Sequence, residues 1–237
     1  MPDLPQLALV EIIILAGAAV QGAVGFGFSI LAAPLLVLID PRLVPGPLMA
    51  PGLTVVLLTA IRDRRGMEFR GLGWAVAGMM PGAVLGAVIL SSLPPRLMGL
   101  LFAGLVLLAV VLSVGGLRLP LTRAAMAAAG FLSGLMSSTT GISGPPMALV
   151  YQHKPGLNVR GTMSGYFVAS VIFTVVALNG VGRFGGEELR LGLLMVPASV
   201  AGFWLSGRMV PLLDRGYIRP AVLVMSAAAA AAVLLNG

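Results

Sequence analysis

The chain has 237 residues, 58% of them hydrophobic and 10% charged. Soluble domains carry about a quarter charged residues, so an ordinary soluble domain is excluded and a polytopic membrane protein is indicated. The net charge of +7 comes from 14 arginines and one lysine spread over short loops, not gathered in a stripe, which excludes a nucleic-acid partner and points to orientation in a lipid bilayer. With no cysteine, disulfides, thiolate catalysis and cysteine metal sites are also excluded.

MPDLPQ opens the chain without the basic region of a secretory signal, so the first apolar run is expected to stay in the protein. Residues 12–39 are free of charge but interrupted by GAVGFGFSILAAP, from Gly22 to Pro34. Runs 43–61, 71–95 and 97–117 follow, each near or above the roughly 20 residues that cross a bilayer as helix. A second broken stretch, 124–152, carries GLMSSTTGISGPP from Gly134 to Pro146, and runs 161–182, 191–207 and 220–237 complete the chain. The pattern predicts an all-α protein with six ordinary spans and two broken ones.

Each broken stretch would be about 42–44 Å long as one straight helix, against a hydrocarbon core of about 30 Å. That is too long for one span and too short for two full ones. Short helices meeting inside the membrane fit, provided protein or a water-filled cavity covers the broken backbone. If each broken pair returns to the side it started from, one side collects 11 of the basic residues and the other only Arg42, Arg96, Arg183 and Arg190; with single crossings the totals are 8 and 7. The returning arrangement satisfies the positive-inside rule and puts both termini outside the cytoplasm.

Gly22 and Gly134, like Pro34 and Pro146, are 112 positions apart, and MMPGAVLG (79–86) repeats as MVPASVAG (195–202) at an offset of 116. The change of offset implies about four extra residues near GRFGGEE. The halves, 1–118 and 119–237, therefore read as two inverted repeats of about five helical segments each, the first two of each repeat short or re-entrant. Paired broken helices at matching positions are the sequence mark of a carrier that alternates access around a midplane site.

At a break, backbone N–H groups lose their helical partners and a half-helix points its positive end inward, which suits a small anion. The richer break offers Ser137, Ser138, Thr139, Thr140 and Ser143 as hydroxyl donors, with Gly141 and Gly144 allowing close approach to the backbone. The first break offers Gln21, Gly25, Gly27 and Ser29, with Phe26 and Phe28 as walls. Arg160 and His153 are candidates for attracting the anion electrostatically, and Glu11 reads as an interfacial group. The structural alternative is that small residues serve close helix packing and hydroxyls bond helix carbonyls. No metal site and no cofactor is expected; the partners are a small anion and the bilayer, and self-association into a homo-oligomer stays open.

Two other classes fit the sequence less well. GISG at 141–144 matches the GxSG of intramembrane serine proteases, but the single histidine, His153, lies about 15 Å along a helix from Ser143, beyond the reach a nucleophile and its base require. A non-transporting scaffold would leave the paired breaks unexplained. The chain is therefore read as not an enzyme.

The stretch QGAVGFGFSILAAPLL, the arginine-rich loop after the next span, and GFLSGLMSSTTGISGPPMALVY followed by Arg160 resemble the sulfite exporter TauE/SafE family of bacterial membrane permeases. The resemblance covers nearly the whole chain. It implies residence in the bacterial inner membrane, export of sulfite, sulfoacetate or a related organosulfonate, and a site at the two glycine-rich breaks. Bulky apolar substitution of Thr140 or Ser143 is then expected to abolish flux.

Overall fold

The computed structural model describes residues 4–69, 71–114, 120–151 and 156–213. Arg70, Arg118, His153, Lys154, Arg215, Arg219, Gly237 and the predicted span 220–237 lie outside the described residues. Among the described residues the chain is all-α, with ten α-helices and no strand. The first half contains α1 (Leu4–Val24), α2 (Phe28–Ile39), α3 (Met49–Arg62), α4 (Leu72–Ser92) and α5 (Pro95–Val114). The second contains α6 (Arg123–Thr140), α7 (Gly144–Tyr151), α8 (Gly156–Gly180), α9 (Gly186–Leu194) and α10 (Val196–Leu213).

Both expected breaks occur, each three residues long: Gly25 to Gly27 and Gly141 to Ser143. The helices around them differ from expectation in length. α1 has 21 residues because it runs through Glu11, so it is long enough to cross alone. The short helices are α2, with 12 residues, and α7, with 8, about 18 and 12 Å long.

Two of the expected ordinary spans are also modified by proline. α3 has only 14 residues, because Pro41, Pro45, Gly46 and Pro47 hold the chain in turns up to Leu48. The apolar run 191–207 bends by 42° between α9 and α10, just before Pro197, whose ring cannot accept an undistorted carbonyl one turn earlier. Among the described residues three helices are long and apolar enough to cross a membrane (Pro5–Val24, Leu72–Ser92 and Leu157–Gly180), or four with the bent pair.

The most extensive helix contacts are α4 with α6 and α1 with α10. Both depend on small residues. Gly78, Gly82 and Gly86 on α4 meet the backbone at Ala127, Phe131 and Leu135 on α6, where any Cβ would overlap it. On α10, Gly202 meets Leu15 of α1, and Gly22 of α1 meets Ser206. Residue numbers rise together along both contacts, so each pair runs parallel. In lipid, where no hydrophobic force separates helix from solvent, such close backbone approach supplies the van der Waals attraction that holds helices together.

α1 and α6 end 116 residues apart, at Val24 and Thr140, and α2 and α7 begin 116 apart, at Phe28 and Gly144. This is the offset of MMPGAVLG and MVPASVAG, so the breaks align at 116 and not at 112. No insertion near GRFGGEE is needed. Under this register α1 matches α6 and α4 matches the bent helix that continues as α10, so the two largest interfaces are one interface made twice. The contacts of α4 with α8 and of α10 with α3 match in the same way.

Candidate functional site

The breaks exist because glycine permits them. Gly25, Gly27 and Gly141 have φ of +93°, +117° and +75°, a region that costs other L-residues roughly 1–2 kcal/mol. The two α-helices before the breaks end alike: Gly25 N–H donates to the Gln21 carbonyl at 2.7 Å, and Gly141 N–H to the Ser137 carbonyl at 2.9 Å. Gln21 then bridges the first break. Its Nε2 donates to the Gly25 carbonyl at 3.0 Å, and its Oε1 accepts from the Phe28 N–H at 3.2 Å, so the end of α1 and the start of α2 are satisfied by one side chain. At the second break Ser133 Oγ donates to the Ser143 carbonyl, and Thr140 Oγ1 accepts from Ile142 N–H at 3.3 Å.

One cavity of about 40 Å³, counted as space open to the centre of a water molecule, lies between the breaks. A single water needs about 10–15 Å³ on this measure, so about three waters or one small oxyanion fill it. Its polar lining is Gln21, Ser29, Ser137 and Ser143, with Gly27, Gly141 and Gly144 exposing backbone. Phe28 and Ile142 from the breaks, Leu48, Met49, Gly52 and Val56 before and along α3, and Phe167 and Val171 from α8 form much of the rest of the wall. Among the described residues no charged side chain lines it.

Eight of the residues expected from sequence are thus brought together: Gln21, Gly27, Phe28, Ser29, Ser137, Gly141, Ser143 and Gly144. The others lie elsewhere. Gly25 turns away from the cavity onto Arg160, whose Cα would be 2.8 Å from an added Cβ. Ser138 faces α4 beside Gly86, and its hydroxyl is buried with no hydrogen-bond partner among the described residues. Thr139 donates to the Leu135 carbonyl and Thr140 to the Met136 carbonyl, each at 2.8 Å.

A helix turns about 100° per residue, so of the four consecutive hydroxyl residues only Ser137 reaches the cavity. Thr174 Oγ1 donates to Ser137 Oγ at 2.8 Å, which leaves the Ser137 proton for a ligand. The walls from α3 and α8 were not distinguishable in sequence, because Met49, Val56, Phe167 and Val171 sit in apolar runs like any core residue.

The ends of the molecule flank this cavity differently. At one end Arg160 does not stand free as a cation: its Nε donates to Asp63 Oδ2 at 3.0 Å. Arg62 donates to the same carboxylate, Nη2 to Oδ2 at 3.0 Å and Nε to Oδ1 at 3.2 Å. Arg62 also bonds the Gly22 carbonyl of α1 and, at 3.2 Å, Ser206 Oγ of α10, and stacks 5.0 Å from the Phe203 ring. Asp63 was missed by sequence reasoning; the available signal was a lone acid inside an arginine run that reads as a topology determinant.

At the opposite end a hollow of about 650 Å³ opens between the turn after α2 and the turn before α9. Arg42, Arg183 and Arg190 line it together with Asp40, Glu187 and Glu188. Arg42 pairs with Asp40 at 2.9 Å, and this hydrogen-bonded guanidinium holds the Asp40 carboxyl below its ordinary range. Gly141, with Leu48 Cδ2 3.2 Å and Val44 Cγ1 3.8 Å from an added Cβ, stands between the hollow and the cavity.

No curated protein and no solved structure matches this chain. A family model does: the one described as sulfite exporter TauE/SafE matches residues 9–233, and the chain, a multi-pass membrane protein, belongs to that family of transporters.

Proposed function

We propose that the protein is a secondary carrier that moves a small sulfur oxyanion across the bacterial inner membrane by alternating access, with the cavity between the two breaks as its substrate site. The observation that carries this reading is that both breaks, 116 residues apart in sequence, line the same cavity. Ser29, Ser137 and Ser143 would donate to the anion, and the glycines would bring backbone N–H groups within reach. The volume favours sulfite, with four heavy atoms, over sulfoacetate or a larger sulfonate.

Neutral donors suit a carrier better than a fixed cation would, because binding must be strong enough to select and weak enough to release. The reciprocal packing of α4 on α6 and α10 on α1 supports reading 1–118 and 119–237 as inverted repeats that exchange shapes. Arg42, Arg183 and Arg190 meet at one end while Arg62 and Arg160 meet at the other, as the returning arrangement requires; the arginine-rich end is then cytoplasmic and the N-terminus periplasmic. An interior-negative potential would drive anion export by about 2.3 kcal/mol per charge per 100 mV without a coupled ion.

Flux from proteoliposomes under an imposed potential tests this, with sulfite, sulfoacetate, taurine, sulfate and acetate compared. Sulfite is expected to move fastest and in response to potential. Absence of movement of every anion from folded protein overturns the carrier reading.

A further inference from the structure

Asp63 is a buried carboxylate, its side chain 7% exposed, held between two guanidiniums. Two arginines converging on one acid is the arrangement in which proteins bind oxyanions, since the planar guanidinium offers several N–H donors to paired oxygens. The three residues together carry one net positive charge. They sit directly behind the first break: Gly25 packs on Arg160, and Arg62 bonds the carbonyl of Gly22. On the other side of the same break, Gln21 and Gly27 line the cavity.

The repeat register shows what this position needs for packing alone. At an offset of 116, Arg62, Asp63 and Arg160 correspond to Leu178, Asn179 and Val44, and Phe203 and Ser206 to Ala87 and Leu90. At that end Ala87, Leu90 and Leu178 form a small apolar cluster. The matched positions therefore pack helices without a charged side chain of their own; Arg183 reaches the Leu90 carbonyl at 3.4 Å from the rim of the hollow. Among the described residues, buried charge at these matched positions is found only at the arginine-rich end, where it costs desolvation.

We propose that Arg62 and Arg160 form a second oxyanion site, between the cavity and the arginine-rich end, and that Asp63 occupies it as a resident carboxylate until a transported anion displaces it. With Asp63 in place, α1, α3, α8 and α10 are tied together and this end is shut. An arriving anion takes over the guanidiniums, frees Asp63, and loosens the tie. The proposal rests on the carrier reading, and deepens it by adding the group that admits the anion at one end.

The test is calorimetric titration of sulfite, and separately of sulfate, into detergent-purified wild type, Asp63→Asn, Arg160→Gln and the double variant. Asp63→Asn removes the competing carboxylate and should tighten binding of both anions about tenfold, the worth of a charge-assisted hydrogen bond. The gain should vanish in the double variant. Folded Asp63→Asn that binds no tighter, or a gain that survives Arg160→Gln, overturns the proposal.

Should Asp63→Asn not elute as folded protein, Arg160→Gln decides, because Asp63 then keeps Arg62 as its partner. Sulfite binding about tenfold weaker than wild type supports the site, and unchanged binding overturns it. Binding needs no transport, so a tenfold gain without flux retains this site and rejects the carrier reading, while flux without the gain does the reverse.

Discussion

The two ends of this molecule correspond under the 116-residue register and use charge differently: one buries it between helices, the other leaves it around an open hollow. One is drawn together by Arg62, Asp63 and Arg160, and the other opens as a hollow of about 650 Å³ whose equivalent residues are Leu178, Asn179 and Val44. Under the 116-residue register the two ends have matching backbone positions and different side chains. A carrier needs both ends to close but never together, and unlike closures let one be opened by an anion and the other by packing alone.

The strongest way to break this comparison is to make the ends alike. Leu178→Arg, Asn179→Asp and Val44→Arg together place the ionic cluster at the hollow, and flux is expected to fall at least about tenfold in protein that still elutes as a single species. Wild-type flux from such protein shows that charge at this position does not gate.

The matched glycines give a smaller effect. Gly25→Ala and Gly141→Ala both incur roughly 1–2 kcal/mol from positive φ. At Gly25 the new Cβ also meets the Arg160 backbone, whereas at Gly141 it meets only side-chain ends, the nearest being Leu48 Cδ2 at 3.2 Å. Thermal unfolding in detergent should therefore show the larger fall in Tm for Gly25→Ala; equal falls would mean the ends are packed alike.

Within the cavity, Ser137→Ala should lower sulfite flux about tenfold through loss of one hydrogen bond to an anion. Thr140→Val should leave flux within about twofold, since its hydroxyl is engaged by the Met136 carbonyl and the Ile142 N–H and does not line the cavity. This differs from the sequence expectation for Thr140, and a flux assay on the two variants decides between them.

The smallest effect is expected at the exposed pair. Asp40 is held below its usual range by Arg42, so whatever the pair contributes is present above the ordinary carboxyl value and is lost as pH falls through the lowered one. Asp40→Asn should leave the Tm near pH 7 almost unchanged, in contrast to Asp63→Asn, because an exposed ion pair is screened by water. A large drop at neutral pH would show that the hollow, too, depends on charge.

The two breaks were legible because their cause is local: glycine at Gly25, Gly27 and Gly141 is what admits positive φ, and proline at Pro145 and Pro146 suits a helix start. α3 was overextended because hydropathy does not register the missing N–H groups of Pro45 and Pro47. The hydroxyl run was legible as polar, but not in its facing. One residue of rotation separates Ser137 in the cavity from Ser138 against α4, and only the contact of α6 with α4 settles that angle. Asp63 was unreadable as a site member for the same reason: its second partner, Arg160, is 97 residues away.

By itself, then, the sequence determined the membrane class, the helical content, the family and the places where helices stop, all of which follow from hydropathy and backbone freedom over a few neighbouring residues. Tertiary structure decided the register of 116, which hydroxyl of the run 137–140 enters the cavity, and the pairing of Asp63 with both arginines. Those depend on how closely helices approach, which small residues such as Gly82 and Gly202 set across distances in sequence that no local pattern encodes.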